Sequence, residues 1–188
     1  SCNGANDGEL TVIHTGGRAP YTYVWDDPNS QNGSTAIGLS PGSYSVTITD
    51  SSGCAAVSNA VITEPDVLEI TSISSDSTLC FGQADGFVYL TVAGGTPTYN
   101  FNWSFGGVNA NTNAPAGLHT VNVTDLNGCT VDSMVMVDQP NEIIASFMKD
   151  SVSCQGLTDG WAMASVVGGT NNSTYSWSNG SDSSSAYN

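Results

Sequence analysis

The side chains best suited to covalent chemistry in this sequence are its five cysteines, Cys2, Cys54, Cys80, Cys129 and Cys154. Protein cysteines bind zinc from close Cys-x-x-Cys or Cys/His clusters, or they form disulfides. The sequence contains no such cluster. The cysteines therefore predict disulfide bonds, and these indicate an exported protein because disulfides persist in oxidising compartments.

Two pairings of these cysteines would close loops of similar length. Cys2 with Cys54 spans 52 residue steps, and Cys80 with Cys129 spans 49. We expect each bond to lie within one structural copy and to contribute about 4 kcal/mol by the loop-entropy relation. Cys154 then remains, and we expect its partner just beyond Asn188, since the two ends of the sequence resemble cuts in a longer polymer.

The other side chains that could catalyse a reaction do not form a recognisable site. His14 and His119 occupy unrelated places in the chain, and each occurs once in a repeated scaffold. Asp26 and Asp27 are adjacent beside Pro28, which is typical of a solvated turn and unlike the separated carboxylates of a glycosidase. We predict that the protein is not an enzyme.

The charge balance excludes some classes of partner. Two basic residues stand against seventeen acidic ones, so phosphate backbones and anionic membranes would repel the chain. No apolar run is long enough for membrane insertion, and no cofactor is expected apart from calcium. Acidic side chains near turns and unit boundaries are calcium candidates, although Asp in a turn commonly caps its own backbone; the candidates are Asp7, Asp76, Asp85, Asp150 and Asp159.

The elements that carry these residues are repeated along the chain. When the first cysteine of each copy is aligned, an Asp follows after five residues, Gly-Gly begins after fourteen, and a Trp follows after 23. The aligned cysteines are Cys2, Cys80 and Cys154, and the tryptophans are Trp25, Trp103 and Trp177. This agreement predicts three copies of one module.

The second half of the module is present in two copies. An Asp-x-x-Gly-Cys motif ends at Cys54 and at Cys129, and Glu64-Pro65 matches Gln139-Pro140. These landmarks predict a first repeat over 1–65 that lacks its first strand, a complete repeat over 66–140 and a truncated repeat over 141–188. Because Pro replaces a flexible linker, we expect neighbouring repeats to be partners in a fairly stiff array.

Apolar residues alternate with period two within each copy, which is the pattern of half-buried strands. Leu10 and Val12 begin one such face, and Tyr21, Tyr23 and Trp25 form the next. The repeated tryptophans are expected in the core between two sheets. Short strands separated by Gly-rich turns predict an all-β protein of tandem immunoglobulin-like β-sandwich repeats, each closed by one disulfide.

The combined pattern resembles the SprB repeat over the whole chain. It reads Cys-x4-Asp-Gly, Gly-Gly-x2-Pro-Tyr-x-Tyr-x-Trp, Gly-x-Tyr-x-Val-x-Ile-x-Asp-x2-Gly-Cys and Glu-Pro. The resemblance implies a segment of a long cell-surface adhesin filament of gliding bacteria of the Bacteroidota. Such a filament is secreted by the type IX system, acts in gliding motility and cell adhesion, and contacts polysaccharide or a solid surface through a distal region.

A short motif is similar to the O-glycosylation signal of that phylum, in which Asp precedes Ser or Thr and then a small or aliphatic residue or Thr. It occurs at Ser77, Ser133 and Ser151. The first and third lie at equivalent places before their cysteines. We expect these serines to be acceptors if the signal is used, although a Ser-rich chain produces such matches by chance.

Two further functional interpretations remain open beside a structural stalk. The chain could be a carbohydrate-binding module, for which exposed aromatic residues outside the core pattern would be needed; Trp161 and Tyr89 are the candidates. It could also be an accessory domain of a secreted enzyme. The flanking sequence would decide between the latter and a stalk.

Overall fold

A computed structural model describes residues 1–170 and 172–187 of the chain. The described residues form fourteen strands and no helix, which confirms the predicted all-β class. None of them belongs to a helix long and apolar enough to cross a membrane. The immunoglobulin-like identity of each repeat stays a prediction.

The first copy contains two sheets. Strands β1 and β3 form one antiparallel pair, and the second sheet has the order β2-β4-β5. The strands are β1 (Gly8–Thr11), β2 (Thr22–Trp25), β3 (Thr35–Leu39), β4 (Gly42–Thr49) and β5 (Ala55–Ile62). The predicted alternation at Tyr21, Tyr23 and Trp25 corresponds to β2, whereas β3 was not predicted.

The two sheets of the first copy enclose a small apolar core. Trp25, Val46 and Ile48 from one sheet are buried together with Ala36 and Leu39 from the other. The indole N–H of Trp25 donates a hydrogen bond to the Gly33 carbonyl at 2.9 Å, so the one polar group of this side chain is satisfied inside the core.

The second copy has two three-stranded sheets, β6-β7-β9 and β11-β10-β8. Its Trp103 is only 2% exposed and donates to the Asn109 carbonyl at 2.9 Å, as Trp25 donates to Gly33. The strands are β6 (Glu69–Asp76), β7 (Gly86–Ala93), β8 (Asn100–Trp103), β9 (Thr112–Ala114), β10 (Gly117–Thr124) and β11 (Thr130–Val137).

The third copy has a single sheet among the described residues, with the order β12-β13-β14. Its strands are β12 (Asn141–Asp150), β13 (Trp161–Gly169) and β14 (Ser185–Tyr187). Trp177 donates to the Ser183 carbonyl like its counterparts, but it is only half-buried. Phe147 on β12 is 68% exposed, so an apolar face of this sheet is uncovered.

The chain divides into two compact units that do not coincide with the copies. Unit 1 comprises Ser1–Thr71, Val92–Asn100 and Asn122–Asp132. Unit 2 comprises Ser72–Thr91, Phe101–Val121 and Ser133–Asn188. Each unit therefore contains the sequence on both sides of one Glu-Pro or Gln-Pro boundary. The repeat limits at residues 65 and 140 stay a prediction.

Candidate functional site

Cys2 and Cys54 lie at opposite ends of the first copy. Cys2 is next to Asn3, whose amide donates to the Pro65 carbonyl at 2.9 Å, beyond the end of β5. Cys54 immediately precedes the start of β5, where Ala55 pairs with Thr49. The eight-residue strand β4 separates these two ends by about 23 Å at about 3.3 Å per residue.

The predicted pairing of Cys2 with Cys54 is therefore wrong. A disulfide requires Cα atoms within about 7 Å of each other, and a strand length is more than three times that distance. The chain runs along the sandwich in β1, returns through β2 and β3 together, and runs in the first direction again in β4. It therefore crosses the sandwich three times between Cys2 and Cys54. An odd number of passes places the two cysteines at opposite ends, and this signal was already available in the predicted strands.

The structure contains a disulfide between Cys2 and Cys129 instead, with Cα atoms 5.6 Å apart. The bond joins the beginning of the first copy to the end of the second copy's Asp-x-x-Gly-Cys motif, and both cysteines belong to unit 1. The predicted pairing of Cys80 with Cys129 is consequently wrong as well. Three cysteines are free and exposed, namely Cys54, Cys80 and Cys154.

Asp125 organises the turn that presents Cys129. Its Oδ1 accepts the backbone N–H groups of Asn127 and Cys129, both at 2.9 Å, and its Oδ2 accepts that of Thr96 at 2.8 Å. These bonds, that of Thr96 first, lower the pKa of the buried Asp125 carboxyl below its usual range because they stabilise the charged form. The carboxylate ties the turn to the residue after Gly94-Gly95.

Asp50 forms the same turn in the first copy. Its Oδ1 accepts from the backbone N–H groups of Ser52 and Cys54 at 2.8 and 3.0 Å, and its Oδ2 accepts that of Arg18 at 3.1 Å. The Ser52 hydroxyl and the Cys54 amide are the main causes that lower the pKa of Asp50 to about 2. Sequence reasoning identified this motif as a landmark but missed the role of the carboxylate.

Further hydrogen bonds surround the disulfide, and one of them, from Asn127 to Ser1, joins the two copies. The Asn127 amide donates to the Ser1 carbonyl at 3.1 Å and to the Thr96 hydroxyl at 2.8 Å. Within the first copy, the Glu64 carboxylate accepts the N–H of Gly4, two residues after Cys2. We call the disulfide, the Asp125 turn, residues 64–67 and residues 94–96 the first junction.

Gly94 in the first junction can only be glycine. It has a φ of +70°, and a Cβ at this position would lie 1.8 Å from the Val67 carbonyl oxygen. The adjacent Gly95 donates its N–H to the Asp66 carbonyl at 2.8 Å. The Gly94-Gly95 pair therefore allows the close approach of Asp66 and Val67.

The calcium candidates do not form a cluster with one another. Asp85 accepts the Leu79 N–H at 3.1 Å, and Asp159 accepts the equivalent Ser153 N–H at 3.0 Å together with the Ser153 hydroxyl. The hydroxyl bond is the main cause that lowers the pKa of Asp159.

The other three candidates are dispersed. Asp76 accepts the Tyr89 hydroxyl at 2.8 Å, Asp150 accepts the Ser151 N–H at 2.8 Å, and Asp7 is exposed. Within the described residues, no group of three or more His, Cys, Asp or Glu side chains is arranged to hold a metal.

The two aromatic ligand candidates differ in their surroundings. The Tyr89 ring is 42% exposed, and the bond from its hydroxyl to Asp76 raises the pKa of the phenol. Trp161 is half-buried and lines an open cavity of about 390 Å³ with Trp177, Tyr187 and Asp150. The Tyr89 ring lies 4.9 Å from that of Phe87, whereas three aromatic side chains line the cavity at Trp161.

The three glycosylation candidates also differ. Ser77 and Ser151 are exposed directly after β6 and β12, whereas Ser133 is half-buried within β11. An acceptor must reach a transferase, so the structure is compatible with modification at the first two and unfavourable at the third.

Asp27 is more buried than predicted. This residue was expected in a solvated turn but is only 3% exposed, and its carboxylate accepts the N–H groups of Asn29 and Gln31 and the Gln31 side-chain amide. Asp26 instead accepts the N–H and hydroxyl of Ser45. Both carboxylates thus accept hydrogen bonds within the first copy.

The two histidines have structural partners. His119 Nε2 donates to the Pro115 carbonyl at 2.8 Å, in the same way as the hydroxyl of the equivalent Tyr44 donates to the Ser40 carbonyl at 2.9 Å. His14 hydrogen-bonds the Tyr23 hydroxyl at 3.0 Å and follows the end of β1. His119 thus makes the hydrogen bond that Tyr44 makes in the first copy.

Comparison with known proteins agrees with the repeat pattern. No curated protein matches the chain. The family model described as the SprB repeat matches residues 1–30 and 71–108, which include the start of the first copy and the β6 to β8 region of the second. The SprB repeat is a structural repeat of cell-surface proteins. The predicted resemblance is confirmed over these two stretches.

Proposed function

We propose that this chain is a load-bearing segment of a long secreted adhesin filament on the cell surface, which acts in gliding motility and surface attachment. The adhesive region lies elsewhere in the filament, and the repeats extend it from the cell. The chain has no catalytic role in this proposal. The SprB repeat matches supply the link to cell-surface adhesins.

The observation that carries the mechanical part of the proposal is the disulfide of the first junction. A bond between Cys2 and Cys129 connects two successive copies, so tension along the chain is borne covalently where the copies meet. A bond within one copy would protect that copy and leave the connection between copies dependent on Pro65 and on weak contacts. The net charge of −15 keeps crowded filaments apart.

Single-molecule extension tests the mechanical role. The chain is tethered at its two ends and unfolded, first oxidised and then with a reductant. The disulfide prevents extension of 127 residue steps, so reduction adds about 440 Å of contour length at about 3.5 Å per residue. The Cys54→Ser variant is the matched control and gives the same increase.

Equal lengths in both conditions contradict the mechanical proposal. An increase of about 350 Å would instead indicate the two bonds within copies, which together span 101 steps, namely 52 plus 49.

Labelling of intact cells tests the adhesin role. Antibody against this chain, coupled to beads, is applied to unpermeabilised gliding cells that produce the protein. We expect the beads to bind and to be carried along the cell. Antibody that binds only after permeabilisation excludes a surface location, and bound beads that never move exclude the motility role while leaving surface attachment.

A second candidate function rests on the cavity beside Trp161. Rings of Trp161, Trp177 and Tyr187 with the carboxylate of Asp150 offer the stacking faces and hydrogen-bond acceptor that sugar-binding sites use. A glycan array with the Trp161→Ala variant tests this. Binding that depends on Trp161 supports it, and a glycan signal unchanged by the substitution removes the site. Tyr89→Phe is the control for an aromatic residue outside the cavity.

A further inference from the structure

A second region of the chain resembles the first junction, but no Asp-x-x-Gly-Cys turn contacts it. In unit 2, an open cavity of about 310 Å³ lies beside the free Cys80. The residues that line it include Leu79, Cys80, Pro140, Ile143, Gly169 and Thr170.

Each of these residues is the repeat equivalent of one in the first junction or directly next to it. In the same order, the equivalents are Ser1, Cys2, Pro65, Leu68, Gly95 and Thr96. Three of them contact the Asp125 turn directly: Thr96 donates to Asp125 and accepts from Asn127, Ser1 accepts from Asn127, and Cys2 is bonded to Cys129.

The backbone of the second region has the same geometry as the first junction. A Cβ on Gly168 would lie 1.9 Å from the Glu142 carbonyl oxygen, and one on the equivalent Gly94 would lie 1.8 Å from that of Val67. The Gln139 side chain accepts the Gly82 N–H at 2.9 Å, as Glu64 accepts the Gly4 N–H. The acceptor surface is therefore already formed around Cys80.

Among the described residues, the third copy has no strand equivalent to β4 or β10. In the first two copies, β4 and β10 lead into the Asp-x-x-Gly-Cys motif. The described part of the third copy contains β12, β13 and β14 only, with Ile143 and Phe147 65% and 68% exposed. A strand equivalent to β10, followed by its turn, would cover both this apolar face and the cavity beside Cys80.

We propose that the cavity at Cys80 receives the Asp-x-x-Gly-Cys turn that completes the third copy, and that its cysteine forms a disulfide with Cys80. The first cysteine of each copy then pairs with the last cysteine of the following copy. This inference concerns the assembly of the repeats and is independent of the proposed adhesin role.

The bond forms by a balanced two-electron oxidation. The Cys80 thiol and the incoming thiol lose two protons and two electrons as the S–S bond forms. A small-molecule disulfide such as oxidised glutathione accepts them through thiol–disulfide exchange and leaves as two thiols.

An extended chain tests the proposal. Residues 115–140 are appended directly after Asn188, because Ala186 pairs with Ala162 as Thr112 pairs with the equivalent Val88. The product is oxidised with glutathione, its free thiols are alkylated, and its peptides are mapped. We expect Cys80 joined to the appended cysteine and two alkylated cysteines, Cys54 and Cys154, in place of the three free in the parent.

Two comparisons make the result decisive. The Cys80→Ser form of the extended chain should leave the appended cysteine alkylated. Acrylamide quenching of its tryptophan fluorescence should still fall, because the added strands cover the half-buried Trp177. A second graft of residues 40–65 provides an independent copy of the turn. A bond between the appended cysteine and Cys154, or Cys80 left free by both grafts, overturns the proposal.

Discussion

The ends of the first and second copies that carry the Asp-x-x-Gly-Cys turn are equivalent in sequence and differ in what covers them. Both carboxylates, Asp50 and Asp125, accept the N–H of their own turn and that of the residue after Gly-Gly. Only the second end is covered, by residues 64–67 and by the bond to Cys2, whereas Cys54 at the first end is free. Each of these two copies thus forms its own turn, whereas the disulfide forms only where one copy meets the next.

Removal of the junction disulfide should produce the largest difference between the two ends. The Cys2→Ser/Cys129→Ser double variant loses a closed loop of 127 steps, which the loop-entropy relation converts to about 5 kcal/mol of unfolding free energy. Cys54→Ser removes no bond and should change it by less than about 0.5 kcal/mol. Urea unfolding of both variants measures the difference. Equal losses would show that Cys54 is bonded.

A methyl group at the Gly-Gly pair should distinguish the ends next. Gly94→Ala places Cβ 1.8 Å from the Val67 carbonyl oxygen, while Gly16→Ala meets nothing within 4 Å. Both glycines have positive φ, so each substitution costs about 1 kcal/mol of backbone strain. The clash should add about 1–3 kcal/mol for Gly94 alone. Thermal unfolding measures both, and equal losses would mean that Gly94 is not covered.

Acid should weaken the hydrogen bonds of the Asp-x-x-Gly-Cys turn in both copies. The turn at Asp50 is the one to titrate. The folded-state pKa of Asp50 is lowered to about 2 from an ordinary value of 3.8. Its contribution to stability is therefore complete above about pH 4 and is lost as the pH falls through about 2. An NMR titration of the carboxyl carbon and of the Cys54 amide should give this midpoint. A midpoint near 4 would contradict the hydrogen-bonded turn.

The smallest difference should come from exchanging the residues after Gly-Gly. Arg18 takes part in the first turn through its backbone N–H, so Arg18→Thr should change the unfolding free energy by less than about 0.5 kcal/mol. The Thr96 hydroxyl also accepts the Asn127 amide, so Thr96→Arg should lose about 1 kcal/mol. Urea unfolding compares the two variants. A larger loss of unfolding free energy for Arg18→Thr than for Thr96→Arg would contradict these side-chain roles.

The sequence was sufficient for the features that recur in every copy. Period-two alternation predicted β1 and β2, and equal spacing from the first cysteine located Trp25 and Trp103, which are only 4% and 2% exposed. It was not sufficient for β3, β9 and β14. These strands are three to five residues long, carry few alternating apolar side chains and lie beside Gly- and Asn-rich loops.

The cysteine partners could not be read from spacing alone. Similar loops of 52 and 49 steps suggested bonds within copies, yet disulfide formation depends on distance in space. Strand direction held the missing information, because β4 carries the chain from the end near Cys2 to the end at Cys54. The Asp125 turn was equally hidden, since its Thr96 partner is 29 residues away.

Disulfide mapping of the chain as it stands tests the junction bond most directly. Free thiols are alkylated, and the oxidised chain is cleaved after Glu9, Glu69 and Glu142, with Glu64 protected by the following Pro65. We predict that peptide 1–9 is joined to peptide 70–142, and that further cleavage before Asp leaves residues 1–6 joined to 125–131, with Cys54 and Cys80 alkylated. Peptide 1–9 joined to peptide 10–69 would show a bond between Cys2 and Cys54 and would contradict the account.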